Sequence, residues 1–373
     1  MSQAIIATID EIDVAEFASC REQWNELLYD SGADALFLSW DWLHTWWTFF
    51  GQDDESSMHI VRARDESGKW LGVAPMYSQL TKYRFGLSGR LLQFIGSRWR
   101  SDIGLVTEYL DFLVRPGESA GEVRNALLGY IFDQLRWDEL VFSYMKNSQP
   151  LNSAVSKLAQ LRNHRVQVLG QAMSYEVSLD DGMSAYLSSL SSNMRRSIWN
   201  KRRQLLSHGA VSIDFYGTDR LADGLECIDA LHIARFGHTV FSRKSKEFII
   251  RLAELPDGSL FPRISLLTVE KSPVSATLDV FAANGLYNLH IGFNPDFDPK
   301  LSLGLLHLGY NIEDAFSSGY HKYDLLVGGG KNNVDYKWGI SNSRTNISSV
   351  RVLRSTKLGL AYGLRLALRR LGI

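Results

Sequence analysis

Cysteine is nearly absent from this chain. Its 373 residues include two, Cys20 and Cys227, which excludes a disulfide framework and any zinc site built on paired-cysteine spacing. Proline is sparse at 8, within a composition of 45% hydrophobic and 22% charged residues that is ordinary for a soluble globular protein. Charge of one sign is also missing: a formal net charge of -1 argues against a protein coated with nucleic acid. No apolar run approaches the ~20 residues that span a bilayer. The start, MSQAIIATIDEIDVAEF, is acidic and lacks a basic segment followed by an apolar core, so no secretory signal is expected and a cytoplasmic location is. A nucleotide-binding loop is excluded as well. The stretch VGGGKNN places Gly330 before Lys331, but a Walker-type loop needs a glycine at 325, where Leu stands, and a Ser or Thr at 332, where Asn stands.

What the chain has is length, aromatic rings and a repeated rhythm. Its length points to two domains. Ten tryptophans are present, several of them crowded into FLSWDWLHTWWTFFG. Trp40, Trp42, Trp46 and Trp47 form either core or the wall of a cleft on which sugar rings stack. From Met58 the residues read as strand, turn at Gly68 and strand, followed by further strand-like pieces. A helix with Val123, Leu127, Leu128, Ile131 and Leu135 at helical spacing comes next, then the strand WDELVFSYM. From Phe261 the order recurs: strand, turn, strand, an Asn284-Gly285 hairpin signal, strand, an amphipathic helix closed by glycine, and the strand YDLLV. Between the two lies SAYLSSLSSNMRRSIWNKRRQLLSHG, read as one helix ending at Gly209. Arg195, Arg196, Lys201, Arg202 and Arg203 fall within nine residues of it, with no acidic residue from Gly182 to Ile213. Such uncompensated charge asks for an anionic partner, or else is a solvated face. The domain boundary is placed near Gly170, giving halves 1–170 and 171–373.

The aromatic opening, the basic helix and the closing GLLHLGYNIEDAFSSGYHKYDLLVGGGKNNVDYKWGI together resemble the CelD/BioF-like acetyltransferase domain. This is a branch of the GNAT acyltransferase superfamily, related to the Fem-type peptidoglycan aminoacyltransferases. The likeness runs from about Phe37 to Lys337, and the G…YD…G…YK pattern is its most specific part. It implies an α/β fold of tandem GNAT-like domains, each a mixed, largely antiparallel sheet flanked by helices. It also implies an acyl-CoA-dependent N- or O-acyltransferase acting on a sugar, a lipid-linked sugar or a polysaccharide precursor. Acetyl-CoA or another acyl-CoA would be a co-substrate, with no permanently bound cofactor and no metal. A Fem-type enzyme would use aminoacyl-tRNA instead, but the long helical arm of that type is not found here, and nucleic acid is not the expected partner. A non-catalytic scaffold in a polysaccharide-synthesis complex is the third reading.

The resemblance also distributes roles. In GNAT folds the helix after the fourth core strand receives the coenzyme A pyrophosphate at its N-terminus. Here that strand is Leu286 to Phe293, and the turn is Ser302, Leu303 and Gly304, with Leu303 departing from the family's Ser-Pro-Gly-like sequence. The thioester would lie where the fifth strand parts from the fourth, with Gly328, Gly329 and Gly330 giving room for the acyl arm. Tyr336 stands where the superfamily often places a tyrosine general acid, and Lys337 would stabilise charge on donor or acceptor. His290 is a candidate general base, or a satisfied core histidine. Asp324 is a competing base, or a carboxylate pairing with Lys322 or Arg344, and Asp279 is a third carboxylate expected to face the same cleft. Arg195 and Arg196 would contact phosphate, of coenzyme A or of the acceptor. The N-terminal half is expected to be a structural, acceptor-shaping copy without a donor site. The tail STKLGLAYGLRLALRRLGI is amphipathic, with Leu360, Leu364, Leu368 and Leu371 opposite Arg365 and Arg369; peripheral contact with an anionic membrane, or docking on the body, follows from it.

Overall fold

The computed structural model describes residues 6–53, 55–83, 86–100, 103–148, 150–255, 257–328 and 336–370, the last six without their side chains. Two compact units result. One comprises Met1–Ser101, Thr107–Gln171 and Asn346–Ile373; the other comprises Asp102–Val106 and Ala172–Thr345. A single cut near residue 170 therefore omits two excursions. The last part of the chain groups with the first unit, because its final strand pairs with a strand of that unit.

In the first unit β1 (Thr8–Ile12) leads to the helices α1 (Val14–Ser19), α2 (Arg21–Ser31) and α3 (Trp40–Trp46). Ser39 caps α3 by accepting from the Trp42 amide at 3.2 Å. Trp42, Trp46 and Trp47 are buried, and the Trp40 ring stacks on His44 with centroids 4.1 Å apart. Most of the aromatic block is core. β2 (Ser56–Arg64), β3 (Trp70–Lys82) and β4 (Ser88–Phe94) form an antiparallel meander, with β5 (Leu113–Val114) beside β3. After α4 (Ala120–Asp133), β6 (Glu139–Lys146) runs parallel to β4 over Leu91–Gln93 alone. Its partner helix α5 (Pro150–Leu161) follows.

The second unit takes β7 (Arg165–Ser178) from Ala172 onward. Next come α6 (Gly182–Ser189), α7 (Ser192–Arg195), a π-helical turn at Arg196–Asn200, and α8 (Arg202–Leu206). The single helix expected here is thus broken. Ser191 is extended, and its hydroxyl accepts from the Met194 amide, starting a new helix. The Arg195 guanidinium donates to the carbonyls of Leu187 and Leu190 at the end of the old one. Then follow β8 (Val211–Tyr216), α9 (Leu221–Phe236), α10 (Arg243–Ala253), β9 (Leu260–Val269), β10 (Ser272–Ala282), β11 (Gly285–Phe293), α11 (Leu303–Ser317), β12 (Lys322–Gly328) and α12 (Tyr336–Ile340). The strand order is β7-β12-β11-β10-β9-β8, antiparallel except for β11 with β12. Helices cover both faces. Gly304 of α11 abuts Ile291 and Phe293, whereas Gly292 between them abuts Ile228 and Leu231 of α9, as the alternation of a strand requires. The fold is the expected mixed, largely antiparallel sheet flanked by helices.

The chain ends in β13 (Ser343–Leu353) and α13 (Thr356–Arg370). Leu358 is buried and the Tyr362 hydroxyl donates to Glu139, while Leu360 and Leu364 are 76% and 50% exposed. No helix among the described residues is long and apolar enough to cross a membrane.

Candidate functional site

The site begins where two strands part. β11 and β12 pair over Gly285–Tyr287 and Lys322–Asp324, and beyond these residues no pairing continues. Just past that point β11 bulges: Asn288 faces Asp279 of β10 and His290 faces Leu278, leaving Leu289 without a partner. One extra residue reverses the alternation. Asn288 consequently turns toward the α11 face, where it bonds Asp279, and His290 turns toward α9. β12 has its own irregularity: Leu325 is unpaired against β7, and Leu326 holds φ 60°. A left-handed leucine is costly. Asp324 supports it by accepting from the Leu326 amide at 2.9 Å.

The other carboxylate oxygen of Asp324 lies 3.5 Å from Lys322 Nζ. The side chain is buried and serves the strand's own turn and ion pair, the alternative to a base at the cleft mouth. Lys337 is likewise committed to backbone: Nζ donates to Leu325 O at 2.6 Å and to Val327 O at 3.0 Å. Both carbonyls belong to the stretch of β12 that has left β11. Its helix α12 is anchored by buried Ile340, whose carbonyl accepts from the Tyr186 hydroxyl at 2.8 Å, and by Gly339 against the Met194 methyl. Tyr336, at the start of α12, is 37% exposed.

His290 lies under the α9–α10 connection, its ring centroid 5.6 Å from those of His232 and Phe241. Its Nε2 is shielded from solvent and has no hydrogen-bond partner among the described residues. Burial, with His232 and Lys337 adding repulsion against the attraction of Asp229, pushes its pKa down to about 4. The imidazole is therefore neutral across the physiological range, as a base must be. Asp229 fixes the connection above it, accepting from the Val240 and Phe241 amides and pairing with Lys246 at 2.7 Å. Residues 103–106 brace the same loop: Gly104, at φ 71°, has no space for a Cβ beside Val240 O, and the Ser245 hydroxyl donates to Ile103 O.

At the start of α11, Ser302 occupies the N-cap position but its side chain makes no capping bond. The first-turn amides are thus left without a side-chain acceptor. Leu303 is buried beside Leu205, Leu267 and Val269 and is core. Gly304 is packed so that a Cβ would sit 3.3 Å from the Phe293 ring, a close contact between helix and strand. Gly328 ends β12, and Gly329 lies outside the described residues.

The basic stretch is largely satisfied from within. Arg195 holds the α6 carbonyls, Lys201 donates to Lys300 O, and Arg202 pairs with Glu313 of α11 while lying 3.7 Å from the Tyr310 ring centroid. Glu313 is the acidic compensation that the local sequence lacked. Arg196 and Arg203 remain exposed. Asp279 does not face the cleft: it is fully buried on the opposite side of the sheet, because strand alternation sets it against Leu278 and the bulge separates Asn288 from His290. No sequence signal marked the bulge at Leu289 or the left-handed Leu326. Asp229, His232 and Phe241 were recognisable only once α9 lay over β11.

Comparison with known proteins shows what this arrangement of a bulged strand, a parted neighbour and the helix between them is similar to. Residues 192–337 match the family described as acetyltransferase (GNAT) domain, a span from the start of α7 to Lys337. No curated protein sequence matches the chain. Among solved structures, FemX aligns with TM-score 0.62 at 13% identity, covering 94% of this chain and 98% of its own. A tandem GNAT protein from the clavulanic acid biosynthesis pathway aligns at 0.52 and 10% identity, covering 92% and 97%. The C-terminal domain of a putative lysylphosphatidylglycerol synthetase from Agrobacterium fabrum aligns at 0.52 and 11%, covering 93% and 95%. Residues 192–337 are thus similar to a GNAT acetyltransferase domain, and the fold of the chain is similar to those of FemX and a tandem GNAT protein.

Proposed function

We propose that the second unit transfers an acyl group from acyl-CoA to a hydroxyl or amine, with a sugar or polysaccharide precursor as acceptor. The observation that carries this reading is the parting of β11 from β12 at Tyr287 and Asp324, beside the bulge at Leu289 and the uncapped start of α11. Such a gap exposes backbone amides that can bond a thioester carbonyl, and a helix N-terminus suits the pyrophosphate. His290, with an unpartnered buried nitrogen, is the candidate to take a proton from the acceptor. Tyr336 is the candidate donor of a proton to the departing thiolate. Lys337 acts in this scheme by holding the parted β12 in place through its carbonyls.

The first unit is read as the acceptor-shaping half. Its own parallel pair, β4 with β6, is equally short, but the chain after β4 folds back into place there. The Tyr77 hydroxyl donates to Ser97 O, and the Ser143 hydroxyl donates to that of Ser97 at 2.8 Å. The aminoacyl-tRNA alternative needs a cationic surface for RNA. Of the basic cluster, Arg196 and Arg203 stay exposed while Arg195 and Arg202 are engaged internally, which favours the acyl-CoA donor. Calorimetric titration with acetyl-CoA and longer acyl-CoAs tests the assignment. Saturable binding supports it, and no heat with any of them at millimolar ligand sinks it.

A further inference from the structure

Beneath α11 lies a polar cluster sealed from solvent: Ser265, Ser275, Thr277, Asp279, His307 and Asn311 are all fully buried. Asp279 is its hub. Oδ1 accepts from Asn288 Nδ2 and from the Tyr323 hydroxyl, each at 2.8 Å. Oδ2 lies 3.0 Å from Thr277 Oγ1 and 3.3 Å from Asn311 Nδ2. Asn288 is the residue before the bulge, and Tyr323 is the middle residue of the short β11–β12 pairing. One carboxyl group therefore ties together β10, β11, β12 and α11.

Counting hydrogens exposes its charge. From Oδ2 a chain of contacts runs through Thr277 to Ser265 (2.7 Å), to His307 Nε2 (2.9 Å), from Nδ1 to Ser275 Oγ (3.0 Å) and on to Gly292 O (2.9 Å). With the first contact, between Asp279 and Thr277, this path has five, each needing one hydrogen; Ser265 Oγ also lies 3.1 Å from Asn311 Oδ1, a further contact off the path. Three hydroxyls and a neutral imidazole supply four. An ionised Asp279 beside a neutral His307 would leave two oxygens or an oxygen and nitrogen in contact with no hydrogen between them. The fifth hydrogen must reside on the carboxyl or on the imidazole. Placing it on His307 would bury a cation and an anion; placing it on Asp279 leaves no net charge anywhere in the chain. No cation touches the Asp279 oxygens among the described residues.

We propose that Asp279 carries a proton at neutral pH and, as a neutral hub, fixes the bulge of β11 and the point where β11 and β12 part. In the protonated form the carboxyl O–H donates to Thr277, Thr277 to Ser265, Ser265 to His307 Nε2, His307 Nδ1–H to Ser275, and Ser275 to Gly292 O. Every contact along this path is then satisfied, and the Ser265–Asn311 contact off it is the one left without a hydrogen. Burial drives both titrating groups the same way, raising the Asp279 pKa and lowering that of His307 to about 3. Asp279 is a positioning residue: it touches no reactant and acts through Asn288 and Tyr323. Its consequence for turnover rests on the acyl-transfer reading, whereas its protonation does not.

The test is the infrared spectrum of the full chain at pH 8, where Asp111, raised to about 6 by burial, is ionised. The expected result is a carbonyl band of a protonated carboxylic acid that disappears in Asp279→Asn. Absence of the band in the unsubstituted protein, or its persistence in Asp279→Asn, overturns the proposal. The amide keeps the acid's shorter contacts, accepting at Oδ1 and donating to Thr277, and loses only the 3.3 Å contact from Asn311 Nδ2, so Asp279→Asn should fold. If it does not, Thr277→Val decides: removing the carboxyl's acceptor should shift the band, and an unshifted band refutes the assignment. In acyl transfer, Asp279→Ala should lower kcat up to about 100-fold through misplacement of the bulge, with Asp279→Asn restoring it. If acyl-CoA does not bind at all, the reading of the function fails while the infrared result stands by itself.

Discussion

Replacing His290 with glutamine removes an imidazole whose protonation the fold resists, and the consequence can be calculated. In the unfolded chain this group titrates near its ordinary 6.5; in the folded protein burial pushes it down to about 4. As pH falls below 6.5, the unfolded state gains the proton first, so the equilibrium moves toward unfolding until the folded state is protonated too. The stability associated with a neutral His290 is therefore present above pH ~6.5 and lost progressively toward pH ~4. At 1.36 kcal/mol per pH unit, the loss between pH 8 and pH 4.5 is about 2.5 kcal/mol. Urea unfolding of the unsubstituted protein and of His290→Gln at the two pH values isolates this term, because His307 and the carboxylates are common to both proteins. The gap between them should change by about 2.5 kcal/mol in favour of the variant as the pH is lowered. An equal gap at both pH values would show that His290 is solvated when folded. The account of a neutral base held ready would then fail.

Three further outcomes are expected. Tyr336→Phe should lower kcat by roughly 10²–10⁴-fold with acyl-CoA affinity retained; full kcat would reduce Tyr336 to packing. Gly104→Ala should destabilise the second unit by about 1–3 kcal/mol, since φ 71° and the crowding by Val240 O both oppose a side chain. Unchanged urea midpoints would refute the bracing of the α9–α10 connection. α13, with Leu360 and Leu364 outward and no acidic residue after Asp335, should sediment with anionic vesicles and not with zwitterionic ones. Equal sedimentation of Leu360→Asp/Leu364→Asp would remove that helix as the contact.

Much of the second unit was legible from local pattern. The hairpin at Asn284-Gly285, the strand to Phe293, the helix after Ser302 and the strand from Tyr323 depend on periodicity, turn residues and caps, which act within a few residues of one another. Their order is what invited the GNAT resemblance, and the family match over 192–337 agrees with it. The break in the helix across 184–209 has a local signal, since Ser191 is a good N-cap, but the apolar spacing on either side runs through it.

What the amino-acid sequence determined by itself was this succession of elements, the class of fold, and the identity of the side chains near the gap. Which way those side chains turn was decided only in three dimensions. Arg202 answers to Glu313, 111 positions away, and the Asp324 carboxylate spends itself on the amide of Leu326 because that residue is held left-handed. Above all, one unpaired residue at Leu289 sends His290 to one face and Asn288, with Asp279, to the other. A bulge is a mismatch between two strands, and it exists only when the strands are paired.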